Sequence, residues 1–182
     1  MRVSKERAAE NRERILKAAS RLIRERGISG AAVDALTEAA GMTHGSLYSQ
    51  FGSKERLVEE ALEYGIADSA VRMDGAATLG DYVRDYLTLS HRDTPGGGCP
   101  LAALACEMPH QSRPVRRRFT NGLRAMINRI TGMGPGRTTR QRYDEALVIC
   151  ASLVGALVLA RAVNDPKLSN DLLRATKSRL KI

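Results

Sequence analysis

The run from Thr43 to Phe51 mixes two kinds of residue. Thr43, His44, Gly45, Ser46, Ser49 and Gln50 are small or polar, whereas Leu47 and Phe51 are apolar and four apart. On a helix, residues four apart share a face. Leu47 and Phe51 therefore act as anchors, and the opposite face is thin and rich in donors and acceptors. A surface of that kind suits close approach to DNA, with short side chains reaching groove edges. Tyr48 adds a hydroxyl on a rigid ring, suited to a phosphate. Lys54 brings an ammonium to the first turn of the next helix, where free backbone amides and the helix dipole favour an anion.

Other residues that could do chemistry are less well arranged. His91, Cys99, Cys106 and His110 invite a metal reading, and Cys106 and His110 are four apart. Pro109 intervenes, however, carboxylate partners are sparse and no Cys-x-x-Cys pair occurs, so no metal site is expected. Cys99 follows three glycines and, with Cys106, is a candidate redox or electrophile-sensing thiol, since reactive thiols need access and a cationic setting. No nucleophile motif, Gly-rich phosphate loop or metal constellation marks an enzyme. No cofactor is implied.

Nearly every long segment has helical periodicity, and the expected fold class is all-α. Ile15, Leu16, Ala19, Leu22 and Ile23 form a stripe that ends at Gly27, with Arg12, Arg14, Lys17, Arg21 and Arg24 facing elsewhere. A short helix follows over Val33–Ala40, with Val33, Leu36 and Ala40 inward, and Gly41 breaks it. Thr43 caps a second short helix to Phe51. Gly52 ends that one and Ser53 caps the next, which turns Leu57, Val58, Ala61 and Leu62 inward. Two short helices across a glycine turn form a helix-turn-helix pattern.

Further along, Thr78 to Asp81 reads as a capping signature before Val83, Tyr86 and Leu87. Residues 94–99 and 131–136 are expected loops, and Leu101 to Met108 a short apolar helix. Pro114 opens a helix with a stripe of Val115, Phe119, Leu123, Met126, Ile127 and Ile130. A long helix is expected from Thr138 to Ala162, then a break at Asp165-Pro166 and a last helix from Leu168 to Leu180. Arg116, Arg117 and Arg118 read as a solvated helix face.

Composition bounds the partners only loosely. The 182 residues carry 29 basic and 20 acidic side chains, a net charge of +9, which favours polyanions. Residues 1–65 hold 11 basic and 10 acidic side chains, though, so the surplus lies in the C-terminal part. The uncharged run Ala146 to Ala160 has fifteen residues, short of the roughly 20 that span a bilayer, and reads as a buried helix. The charged start is unlike a secretory signal, and a cytoplasmic protein is expected. Three scattered cysteines make no disulfide framework.

Residues 39–62, AAGMTHGSLYSQFGSKERLVEEAL, resemble the recognition segment of TetR-family repressors: a glycine turn, a small polar stretch, Leu-Tyr, two further residues, Phe, then Ser-Lys-Glu and Leu. The match extends back to Ile15. The resemblance implies a homodimer that reads a near-palindromic double-stranded DNA operator. It also implies a helical C-terminal domain that binds a small-molecule effector and releases DNA. Tyr48 and Lys54 resemble the family's phosphate contacts. Thr43, His44, Ser46, Ser49 and Gln50 lie where base or groove contacts are usual, and Thr37 is a further candidate. Ala31-Ala32 departs from the family, which often has Thr there as N-cap and phosphate contact.

The resulting domain reading is a helix-turn-helix domain over 1–52, a connecting helix over 53–77 and an effector and dimerisation domain over 78–182. Beyond residue 65 the resemblance is architectural. The apolar helix around 146–160 is expected to be buried on all sides. Ser152, Gly155 and Ala156 leave room for close helix approach, with Leu168, Leu172 and Leu173 of the last helix completing a four-helix dimer interface. Tyr86, Leu104, Met108, Phe119, Leu123, Met126 and Cys150 are nominated for the effector pocket. A basic membrane or protein-interaction module is the competing reading for the C-terminal half.

Overall fold

The computed structural model describes residues 5–134 and 138–180, which form ten helices and no strand. The first, α1 (Lys5–Gly30), starts earlier than its apolar stripe, and Gly27 interrupts it with φ 76° and ψ 165°. Arg24 departs from expectation. It is 6% exposed rather than solvated, because other elements close over that side of α1.

The helix-turn-helix forms as its local signals dictate. Helix α2 (Val33–Ala40) ends at Gly41, whose φ is 60°. Helix α3 (His44–Phe51) is capped by Thr43, whose hydroxyl accepts from Ser46 N–H. Ser53 caps α4 (Lys54–Arg72) by accepting from Arg56 N–H. Ala32, at the start of α2, makes no side-chain cap. Ile15, Ile23, Leu36, Leu47, Phe51, Leu57 and Leu62 bury together in one core. Leu104, Met108 and Val115 complete that core from the far half of the chain.

The second core joins the remaining helices. Thr78 and Asp81 make a reciprocal capping box at the start of α5 (Leu79–Tyr86). Helix α6 (Leu89–Asp93) leads into a 3-10 turn, Pro95–Gly97, inside the expected loop. The apolar segment after it is α7 (Pro100–Leu104) followed by a 3-10 stretch, Ala105–His110, instead of one helix. Pro109 lies in that stretch and cannot donate to a continuous α-helical ladder. Helix α8 (Arg113–Met133) runs into the expected loop 131–136, of which residues 135–136 lie outside the described residues. Within its basic triplet, Arg118 is not a solvated side chain: it binds Glu59 at 3.0 Å and Glu63 at 2.9 Å on α4.

Helix α9 (Thr139–Ala162) packs on α8 and on α10 (Pro166–Arg179). Helix α9 is long and apolar enough to cross a membrane, yet Ile149, Leu153 and Leu157 are fully buried in the second core. It is not buried on all sides as expected. Tyr143, Leu147, Val148 and Leu159 are exposed, Val148 at 60%, because a single chain supplies no neighbour for that face. Of the nominated interface residues, Ser152, Gly155 and Leu172 are half-buried beside this face. Ala156 and Leu173 instead point into the chain's own core.

Candidate nucleic-acid interface

The turn at Gly41 places α3 with Leu47 and Phe51 buried and its opposite face outward. Thr43, His44, Gly45, Tyr48 and Ser49 are exposed, Tyr48 at 51%. Ser46 and Gln50 are half-buried and joined, Gln50 Nε2 donating to Ser46 Oγ at 2.9 Å. Thr43 is committed as cap acceptor, but its O–H remains a donor. Lys54 Nζ rests 3.5 Å from the Ile28 carbonyl, at the turn between α1 and α2. One candidate is misplaced. Thr37 is buried, and its hydroxyl donates to the Val33 and Asp34 carbonyls of its own helix at 3.0 and 2.8 Å. An inward Thr that satisfies itself in this way offers nothing to a groove.

Two contacts found here were not legible in the sequence. Arg12 of α1 stacks 4.3 Å over the Phe51 ring, donates to the Gln50 carbonyl at 3.2 Å and pairs with Glu60 of α4. It fixes the C-terminal end of α3 against two other helices. At the other end, His44 Nε2 lies 2.6 Å from Asp34 Oδ1 of α2. Asp34 therefore places a carboxylate on the surface that carries the polar face of α3. Removing that charge should favour polyanion binding. Asp34→Asn is expected to tighten binding to unrelated DNA about threefold at low salt. Unchanged affinity in a fluorescence-anisotropy titration would place Asp34 away from the phosphates.

A second site lies between the cores, a cavity of about 580 Å³. Its walls come from α4 (Ile66, Ala70, Arg72) and its C-cap Met73, α5 (Tyr82, Asp85, Tyr86), the segment from His91 to Leu101, and α8 (Gly122, Met126, Arg129). Of the nominated pocket residues only Tyr86 and Met126 line it. Leu104 and Met108 belong to the first core, Phe119 bridges the two cores, and Leu123 and Cys150 pack in the second. None of these five lines the cavity, whose α7 and α8 walls are Pro100, Leu101, Gly122, Ala125, Met126 and Arg129. Residues that spacing did not reveal, His91, Tyr82 and Cys99, line it instead. Burial, and then the neighbouring Cys99, pushes the Cys150 thiol up to about 12, so it stays protonated. Cys99 is buried at the cavity wall, and Cys106 is exposed. Among the described residues no three His, Cys, Asp or Glu side chains gather as metal ligands.

One group in the cavity wall is buried without a partner and is sealed from the cavity itself. The Tyr86 hydroxyl is fully buried and has no hydrogen-bond partner. Its ring stacks with Tyr82 and meets His91 edge-on, 4.7 Å between centroids. Both His91 nitrogens are used: Nδ1–H donates to the Tyr86 carbonyl at 2.7 Å, and Nε2 accepts from Cys99 N–H at 2.8 Å. Burial pulls the His91 pKa below its ordinary 6.5, the Tyr86 carbonyl opposes the shift, and Arg161 and Arg72 add to it. Below about pH 6.5 the unfolded chain then binds a proton that the folded chain refuses. The His91 contribution is complete above that pH and is lost as pH falls toward the depressed value. Urea midpoints should drop less between pH 6.5 and pH 5 in His91→Gln than in the wild type. Equal drops would remove His91 as the cause.

Residues 15–61 match the family model for bacterial regulatory proteins of the tetR family. An HTH-type transcriptional regulator of Mycobacterium tuberculosis, itself uncharacterised, is 29% identical over 174 residues, spanning 85% of this chain and 86% of the relative. The reduced form of Escherichia coli NemR superposes with a TM-score of 0.77 at 23% identity, over 94% of this chain and 95% of that one. A TetR-family regulator from Chloroflexus aurantiacus gives 0.76 at 24% identity, over 96% and 94%. At these identities the structural likeness is one of fold.

Proposed function

We propose that this chain, which belongs to the TetR family of transcriptional regulators, is a ligand-responsive repressor that holds a near-palindromic operator as a homodimer. One observation carries the proposal: beyond the Gly41 turn, α3 buries only Leu47 and Phe51 and turns His44, Tyr48 and Ser49 outward. Two such helices, one per subunit, would enter successive major grooves about one turn apart. The uncovered apolar face of α9, with Leu147, Val148 and Leu159, supports pairing with a second copy. Covering such a face removes apolar area from water.

The effector in this reading occupies the cavity under α4. Its volume lies within the few hundred to 1,000 Å³ of small-molecule sites. The walls are apolar at Ile66, Met73, Tyr82, Leu101 and Met126 and charged at Arg72, Asp85 and Arg129, and so favour a ligand with an apolar body and a polar or charged end. Helix α4 runs from Lys54 at the DNA-facing end to Arg72 at the cavity. An occupied cavity would therefore shift α4 and alter the spacing of the two recognition helices, so that DNA is released. A second reading, that the protein responds to electrophiles through a thiol, is favoured by Cys99 at the cavity wall. Cys99→Ser should then abolish release of DNA by N-ethylmaleimide. Release that persists would dismiss that residue.

Selection of genomic fragments by the purified protein, followed by salt titration of the winners, tests the main reading. The expected result is a short inverted repeat bound as a dimer, with affinity falling steeply with salt. Enrichment without a shared site would leave a non-specific basic binder and reject the operator.

A further inference from the structure

The glycine-rich segment 94–99 is a wall of the cavity on one side and a seat for α1 on the other. Thr94, Gly97, Gly98 and Cys99 line the cavity. From behind, the buried Arg24 of α1 donates through Nη1 to the Gly98 carbonyl at 2.8 Å and through Nε to the Ser20 carbonyl at 3.0 Å. The segment is pressed tightly on both sides. A Cβ at Gly96 would lie 2.3 Å from Glu25 Oε1 of α1, and one at Gly98 would lie 2.6 Å from the His91 ring. His91 holds the next amide, Cys99 N–H, and is itself held by Arg161, whose Nη2 donates to the His91 carbonyl at 2.5 Å. At Gly96 and Gly98 a side chain would have to displace Glu25 of α1 or the His91 ring, whereas Gly97 has open space beside it.

The same helix reaches the recognition helix. Arg12 lies twelve residues before Arg24 on α1, about 18 Å along the axis, and it grips Gln50 and Phe51 at the end of α3. No positive-φ residue interrupts α1 between the two arginines. A displacement imposed at Gly98 is therefore delivered to the rod that carries α3. Dense packing transmits such shifts because interiors rearrange between discrete arrangements and do not deform continuously.

We infer that the Arg24–Gly98 hydrogen bond couples the cavity to DNA binding through α1, a second route beside α4. The inference rests on the DNA-binding reading above. Coupling is reciprocal, so DNA bound at α3 must also steady the cavity wall. A duplex taken from the fragment selection is the probe, and hydrogen exchange read by mass spectrometry across Gly96–Leu104 is the measurement. In the wild type, the duplex should slow exchange of this segment roughly tenfold, within the usual range of coupling between sites. In Arg24→Met, saturated with the same duplex, the slowing should vanish. Arg24→Lys keeps the charge but lacks the guanidinium fork. It should show reduced slowing, and it carries the test if Arg24→Met loses its helical circular dichroism. Equal slowing in wild type and variants, or none in a wild type that binds the duplex, overturns the coupling. A wild type that binds no duplex fails the underlying reading instead, and the coupling falls with it.

Discussion

Replacing Gly27 by alanine should destabilise the protein by about 3 kcal/mol, the sum of backbone strain and lost hydrogen bonds. Gly27 has φ 76° and ψ 165°, a region essentially reserved for glycine. An added Cβ would also lie 2.4 Å from Glu107 Oε1. Glu107 accepts from Ile28 N–H at 3.0 Å and from Ser29 N–H at 3.1 Å. Pushing it aside strands both amides at the turn into α2. Urea denaturation gives the loss directly. Gly52→Ala is the comparison, because Gly52 shares φ 76° but has nothing within 4 Å of the added Cβ. Gly52 has ψ −37° where Gly27 has 165°. A Gly27→Ala loss well above that of Gly52→Ala therefore assigns the excess to Glu107 and to the more restricted backbone together, and a loss no greater than that of Gly52→Ala removes the expected Glu107 effect.

The second large effect belongs to Tyr48 and Lys54, which we propose as the phosphate contacts. Tyr48→Phe combined with Lys54→Ala should weaken binding to operator and unrelated DNA alike, by roughly 100-fold for a dimer that loses charged hydrogen bonds in both subunits. The slope of log affinity against log salt should also become shallower by about 2, one unit per lysine lost. Base preference should survive. Ser46→Ala should do the opposite, changing base preference, because it frees the Gln50 amide that Ser46 Oγ now holds. Normal operator binding by the Tyr48/Lys54 variant would move the phosphate contacts elsewhere.

The sequence by itself determined the helix-turn-helix, because its signals are local. Gly41 tolerates positive φ, Thr43 and Ser53 cap their helices, and Leu47 and Phe51 sit one turn apart. Each signal needs only its near neighbours. The capping of α5 by Thr78 and Asp81 was legible for the same reason.

Only the tertiary structure decided which of several similar residues turns inward. Nothing near Arg24 distinguishes it from Arg21, yet Arg21 is exposed and Arg24 is sealed beneath Gly98. Thr37 looks like a surface Thr until α2 is docked on α1. Leu104 and Met108 read as pocket residues on apolar type alone, but they close the first core, from which they are distant in sequence. The cavity is assembled from α4, α5, α8 and the segment from His91 to Leu101. Its lining follows from how those helices pack against one another, and helical periodicity gives each helix an inward face without saying what that face will meet.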